Sequence, residues 1–349
     1  MPESAVAGPA CRLGEGGTPL VPSVQVAPRG LFFKLENCNP SGSYKDRFTA
    51  AEVSRVLASG ARACVATSSG NTGSSLAACC ARYGLRCAIL VNQDTPAGKL
   101  AQMQAHGARI LRIPEFGASP EITRGVFGLL EAFSRERGVP LVVSAYRYCP
   151  AGMAGVESLA AELIRQQPDL AHVFVPVGGG GLFSAVCRGF QARGGRLPRI
   201  HAVQPEGCLT MVASFLRGDS EIRPVASATR ISGLSVPYDI DAGLALGLLR
   251  AAGGAGFAVS DEDVFHAQRL LLEREGIYCE PAGATALAGY LQAIDRQAVL
   301  PDEPAVSLVT GHGFKDPDSI RRAAEGHPAA LVEHSAVAQA LDAFLEEAA

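Results

Sequence analysis

The residues best placed to do chemistry begin with Lys45, in "LFFKLENCNPSGSYKDRF" (31–48). Leu31 to Leu35 is a short apolar run of strand type. A Pro-Ser-Gly turn follows, and the helical pattern beyond it holds Lys45 in its first turn. A cation there opposes the helix dipole. Lys45 is therefore either a solvated surface lysine or one held in place for its amine. Three further stretches share this grammar of strand, small polar or glycine turn, then usually helix: "TSSGNTGSS" (67–75), "VGGGGLFSA" (177–185) and "LVTGHGFKDP" (308–317). In open α/β sheets ligands bind beyond the carboxyl ends of strands, so four such turns can face one cleft.

Each turn suggests a ligand group. Gly178 to Gly181 can bring backbone N–H groups onto an anion, and the helix that starts at once adds its positive end, which makes a phosphate cradle. A tight packing turn is the plainer alternative. Phe183 stands where a dinucleotide fingerprint needs its third glycine, and no G-x-x-x-x-G-K-[ST] occurs, so the phosphate is not that of NAD or ATP. Ser68, Ser69, Asn71 and Thr72 offer donors at a helix start and suit a carboxylate, although an ordinary N-cap reads the same way. Thr310 offers a hydroxyl between a buried strand and two glycines; His312 by itself reads as structural. Two anion cradles and one lysine fit pyridoxal phosphate. Its aldehyde joins a lysine amine, and its ring takes up the electrons of an α-carbanion.

The elements that must position these groups alternate along the chain. Strands are expected at 62–68, 85–92, 108–114, 140–145, 172–177, 199–205 and 305–310. Helices are expected at 71–84, 95–107, 119–138, 152–167, 182–194 and 260–276, with Thr95 a natural N-cap and Ser260 opening a capping box. This β-α-β-α order predicts an α/β fold of open, mostly parallel sheets covered by helices. The tail 329–349 reads as an amphipathic helix packed on the body.

A chain of 349 residues is too long for one small core and suggests two domains. The net charge of -3 gives no basic footprint for nucleic acid, and no run of 18 apolar residues suggests a membrane span. The start "MPESAVAGPACRLGEGG" lacks a signal peptide pattern, so a cytoplasmic protein is expected. The ten cysteines form no C-x-x-C pair and no zinc spacing, which predicts structural thiols and no metal.

"NPSGSYKDR" resembles the lysine motif of fold-type II pyridoxal-phosphate enzymes, and "SSGNTG", "PVGGGGL" and "EPAGA" (280–284) resemble further blocks of that superfamily in the same order. "LGEGGTPLVP" (13–22), "TGHGFKDPD" (310–318) and, more loosely, "ATRISGLSVP" (228–237) are similar to the threonine synthase family. The resemblance implies a tryptophan synthase β-like fold, with a large domain from 1–49 and 146–349 and a smaller mobile domain from 50–145. It implies that Lys45 holds the cofactor, that Gly178, Gly179, Gly180, Gly181 and Leu182 bind its phosphate, and that Asn71 meets its ring hydroxyl and Thr310 its pyridine nitrogen. Ser68, Ser69, Asn71 and Thr72 would receive the substrate carboxylate. It also implies a homodimer and a carbon–oxygen lyase acting on phosphates, by default turning O-phosphohomoserine and water into threonine and phosphate.

The departure lies in "VVSAYRYCPAG" (142–152), where the family holds the substrate phosphate with an Asn-Ser…Asn-Pro-x-Arg stretch. Ser144 survives, Cys149 takes the arginine position, Val143 and Tyr146 take the asparagine positions, and Arg147 lies two residues early. Ser144 and Arg147 are therefore the candidates for the substrate's leaving-group side. A β-replacement synthase or a serine or threonine dehydratase is the alternative within this chemistry. A binding or regulatory homologue without the cofactor is the alternative outside it, and intact Lys45 argues against that.

Overall fold

The structure, a computed structural model, describes residues 11–347 apart from 118 and 196. The first ten residues, which include most of the segment read above for a signal peptide, lie outside the described part. In chain order the main elements are β1 (Leu20–Pro22), β2 (Leu31–Leu35), α1 (Lys45–Ala58), β3 (Ala63–Thr67), α2 (Asn71–Arg82), β4 (Arg86–Asn92), α3 (Ala97–Ala105), β5 (Arg109–Ile113), α4 (Pro120–Arg137) and β6 (Leu141–Val142). They continue as α5 (Pro150–Val156), α6 (Ser158–Gln166), β7 (His172–Pro176), α7 (Gly181–Gln191), β8 (Arg199–Pro205), α8 (Met211–Arg217), α9 (Ala242–Ala251), β9 (Gly256–Val259), α10 (Asp261–Glu273), α11 (Pro281–Asp295), β10 (Ala305–Val309), α12 (Pro317–Ala324) and α13 (Val337–Glu347).

Two sheets form. The larger has the order β1-β2-β10-β7-β8-β9 and the smaller β5-β4-β3-β6. All pairings are parallel except β1 with β2. The fully buried β7 and β10 carry apolar side chains toward both faces, as a parallel sheet covered on two sides requires. The expected α/β class with two mostly parallel sheets is what the chain adopts. The turns after β2, β7 and β10 leave carboxyl ends of the large sheet, and the turns after β3 and β6 leave those of the small one. Both sets open on the same cleft.

Four stated expectations differ from the structure, and β9, α8, α9, α11 and α12 are elements the sequence reading did not include. Only Leu141–Val142 of 140–145 pairs with β3; beyond it the chain turns, with Ala145 N–H donating to the Val143 carbonyl at 2.7 Å. The expected helix 152–167 is two helices that break at Glu157, whose side chain accepts from the Tyr146 hydroxyl at 2.7 Å. Thr95 is not a cap: Pro96 takes the cap position of α3, and no side chain bonds the helix start. Helix α13 forms, but it is not packed on the body. Leu341, Phe344 and Leu345 are 58%, 63% and 64% exposed, because a stripe at helical spacing specifies a face and not a partner. The capping box at Ser260 and Asp263 is present.

Candidate active site

Lys45 is the first residue of α1, at the mouth of a cleft of about 550 Å³ between the two sheets. Its Nζ donates to Ser144 Oγ at 2.8 Å and lies 4.6 Å from the centre of the Tyr44 ring. The turn that delivers it is tied down on both sides. Tyr44 N–H donates to the Thr310 carbonyl at 3.1 Å, and His312 N–H to the Gly42 carbonyl at 2.9 Å. Asp46, fully buried, accepts from Ser41 N–H at 2.6 Å, from the Ser41 hydroxyl at 2.5 Å and from the Ser75 hydroxyl. Burial pushes its carboxyl up, against those hydrogen bonds. Beneath it Arg47 is buried between Glu36 (2.7 Å) and Glu162 (2.7 Å), and Glu162 also takes Lys34 at 2.6 Å. The "KDR" triplet thus places one amine in the cleft and roots it in two buried polar networks.

The glycine turn follows β7. Gly180 caps α7 at φ +93°, and a Cβ there would fall 2.7 Å from the Asp241 carbonyl oxygen. Only glycine tolerates both that backbone and that approach. The N–H groups of Gly181 and Leu182 open the helix and have no intrahelical acceptor. Asp241 stands beside this turn, and its carboxylate accepts from Tyr146 N–H at 2.7 Å and Arg147 N–H at 3.2 Å. It therefore joins the glycine turn to the chain just beyond Ser144.

Across the cleft, Ser68, Ser69, Gly70, Asn71 and Thr72 line the start of α2. Asn71 Nδ2 donates to Glu280 Oε1 at 2.6 Å. Glu280 is buried, and burial raises its carboxyl pKa. A Cβ at Gly311 would sit 1.9 Å from Glu280 Oε1, so any larger residue there would push that carboxylate aside. Thr310 is buried and its hydroxyl donates to the Ala282 carbonyl at 3.4 Å, a long bond. His312 accepts from Phe314 N–H with Nδ1 at 3.3 Å and acts as a cap, as a structural histidine would.

A family profile for pyridoxal-phosphate-dependent enzymes matches residues 11–311. The chain belongs to that family. It is 33% identical to the threonine synthase of Methanocaldococcus jannaschii over 332 residues, 90% of this chain and 78% of that protein. It is 32% identical to the threonine synthase of a Bacillus species over 320 residues, 89% of this chain and 86% of that one. Maize serine racemase superposes with a TM-score of 0.74 at 23% identity, covering 95% of this chain and 93% of that chain.

The cofactor of this pyridoxal-phosphate-dependent enzyme family fits the residues present. Gly180 keeps side-chain atoms out of the turn where a phosphate would lie, the first N–H groups of α7 are free of intrahelical acceptors, and an amine stands in the same cleft. Of the residues singled out in the sequence, Lys45, Ser68, Ser69, Asn71, Thr72, Ser144, Gly178 to Leu182 and Thr310 all line the cleft. Arg147 does not: it is exposed, with its guanidinium 5.7 Å from the Tyr148 ring. Cys149 is buried, and burial pushes its thiol up to about 12.

Sequence reading assigned no role to Asp241, Glu280, Lys99 or Lys315. Lys315 lines the cleft; burial pulls its amine down to about 8, and it donates to Gln102 Oε1 at 2.5 Å. Lys99 donates to Ser232 Oγ at 2.8 Å. Glu280 alone carried a signal, as the head of "EPAGA" before a buried helix. Three thiols of adjacent elements, Cys64, Cys80 and Cys87, come together in the small sheet's core, with Cys64 and Cys80 sulfurs 3.5 Å apart.

Proposed function

We propose that the cleft carries out elimination or replacement at the β or γ carbon of an amino acid. The observation that supports this best is the Lys45 amine, 2.8 Å from Ser144 Oγ, in one cleft with two separate anion cradles. Bound pyridoxal phosphate supplies an electron sink that acidifies the α-hydrogen of an amino acid. The roles of this chain's residues follow from their chemistry. The amides of Gly178 to Leu182 hold a phosphate. Asn71 reaches the ring hydroxyl. Ser68, Ser69, Asn71 and Thr72 orient the substrate carboxylate. Lys45 Nζ takes and returns the α-proton, and Ser144 Oγ accepts a hydrogen bond from that amine and fixes its direction. Thr310 is neutral, so it does not force a proton onto the pyridine nitrogen. This moderates the sink and suits loss of a β or γ group.

The default reaction among threonine synthases, O-phosphohomoserine to threonine, would make the protein a carbon–oxygen lyase acting on phosphates. A β-replacement or dehydratase reaction on a serine- or threonine-derived substrate is the second reading. It is favoured by Arg147, whose exposed side chain brings no cation to the cleft. The proposal includes a division into 1–49 with 146–349 and 50–145, moving about the cleft, and a homodimer. The test is product analysis of the cofactor-loaded protein with O-phosphohomoserine, O-phosphothreonine, O-phosphoserine, O-acetylserine and threonine. Threonine formed from O-phosphohomoserine at a kcat/KM on the order of a hundredfold above the rest supports the default reaction. Turnover of O-acetylserine or threonine supports the second. If none of the five is turned over or exchanges its α-hydrogen with solvent, the reaction class is wrong.

A further inference from the structure

We propose that the outer end of the cleft is a pocket for an uncharged, apolar substituent on the β or γ carbon of the amino acid, and not for a phosphate ester. This rests on the reading of the cleft as an amino-acid site. The chain just beyond Ser144 would have to supply the cations for a phosphate, and it is locked in an arrangement that supplies none. The N–H groups of Tyr146 and Arg147 are held by Asp241. The Tyr146 hydroxyl donates to Glu157 at 2.7 Å, and its ring lies 4.7 Å from the Arg188 guanidinium. The Cys149 thiol is buried, donating to the Leu141 carbonyl at 3.6 Å. The Arg147 side chain is exposed and does not line the cleft.

The charged residues that line the cleft are Lys45, Lys99, Lys315, Asp241 and Glu280, with no arginine among the described residues. A dianion needs forked, charge-assisted contacts. Lys45 is taken by the cofactor in this reading. Lys315 is bound to Gln102 and faces Glu280 and Asp46, and Lys99 is bound to Ser232. Asp241, whose carboxyl is raised by burial and accepts the Tyr146 and Arg147 amides, brings no cation to the Ser144 end.

The wall at that end is aromatic. Phe116, Phe127 and Tyr238 line it, whereas Val236 and Ile240 pack against the glycine turn. Phe116 and Phe127 are 6.2 Å apart between ring centres, and Phe127 lies 5.7 Å from Tyr148, four residues on from Ser144. Burial and the neighbouring Tyr148 both raise the Tyr238 hydroxyl pKa, so it stays protonated and uncharged. Such a wall rewards apolar surface and gives a charged ester no replacement for its water.

The experiment is a binding titration of the cofactor-loaded protein, read from the cofactor's absorbance, with three unreactive probes: L-alanine, L-norleucine and L-2-amino-5-phosphonopentanoate. The expected result is norleucine binding at least tenfold more tightly than the phosphonate. Phe127→Ala should weaken norleucine about tenfold and leave alanine unchanged, since one or two lost methylene-sized contacts are worth about 10–200-fold in an apolar pocket. Phe127→Arg should reverse the order of the two longer probes. Phosphonate binding as tight as norleucine, or tighter, in the unmodified protein overturns the proposal whether or not the variants fold. If alanine too leaves the spectrum unchanged, the amino-acid-site reading itself fails, and the two failures are told apart.

Discussion

Gly180 shapes the proposed phosphate cradle through geometry alone. Its φ of +93° and the Asp241 carbonyl oxygen 2.7 Å from any Cβ leave no room for alanine. Gly180→Ala is expected to keep the fold but weaken cofactor affinity at least tenfold in a fluorescence titration, since the strained backbone alone costs about 1–2 kcal/mol. Unchanged affinity would mean the phosphate binds elsewhere. Thr310→Ala should retain the cofactor, shift its spectrum and slow α-hydrogen exchange by one to two decades, from loss of a buried hydrogen bond worth about 1–3 kcal/mol. At this scale the sequence was informative where a residue type is rare in its setting, a lysine in a first turn and four glycines, while Ser144 came from the family resemblance alone. Asp241 was not legible, and Glu280 only as the head of a block with no role assigned to it. An acid becomes part of the site through its partners, here the amides of Tyr146 and Arg147 and the amide of Asn71, and those partners are brought together only by folding.

The helix that presents Lys45 is anchored by charge as well as packing. Glu162 of α6 binds both Lys34 of β2 and Arg47 of α1, so one carboxylate ties three elements together. The Glu162 carboxyl, with Arg47 and Lys34 beside it, is held down at about 2 despite its burial. Glu162→Gln leaves two buried cations short of charge and is expected to cost about 3–5 kcal/mol in chemical denaturation. A loss under about 1 kcal/mol would show that water or another acid compensates. The strands and amphipathic helices that the sequence reading named were legible because alternation and 3.6-residue spacing survive in their residues; β9, α8, α9 and α12 were not named. Helix α11 was not legible: nearly every residue from Pro281 to Ala293 is buried, so the helix has no polar face to set a period. The end of β6 was also misjudged, since its apolar residues read as strand while the chain there bends to bring Ser144 to Lys45.

Across the whole molecule, the sheet that holds the glycine turn also buries a histidine pair. His172 Nδ1 and His201 Nε2 lie 2.9 Å apart, and burial pulls His201 down to about 3 from its ordinary 6.5. His172 is also lowered by burial, against the opposing pull of Glu303. The unfolded chain therefore takes up the His201 proton first. Stability contributed by neutral His201 is full above pH 6.5 and falls as pH drops toward 3, by about 1 kcal/mol between pH 6.5 and 5.5. Denaturation of His201→Gln should show a correspondingly shallower loss over that interval, and equal slopes would mean that the pair is not held neutral. No helix among the described residues is long and apolar enough to cross a membrane. The two-sheet plan was legible from β-α alternation, while the exposed placement of α13 was not, because nothing in a stripe of Leu341, Phe344 and Leu345 says what covers it. The central claim is that the cleft between the sheets holds its cofactor on Lys45. Borohydride reduction of the cofactor-loaded protein followed by peptide mapping tests it directly. The account predicts a pyridoxyl group on Lys45 and none in Lys45→Ala; recovery of the label on Lys315 or Lys99 would contradict it.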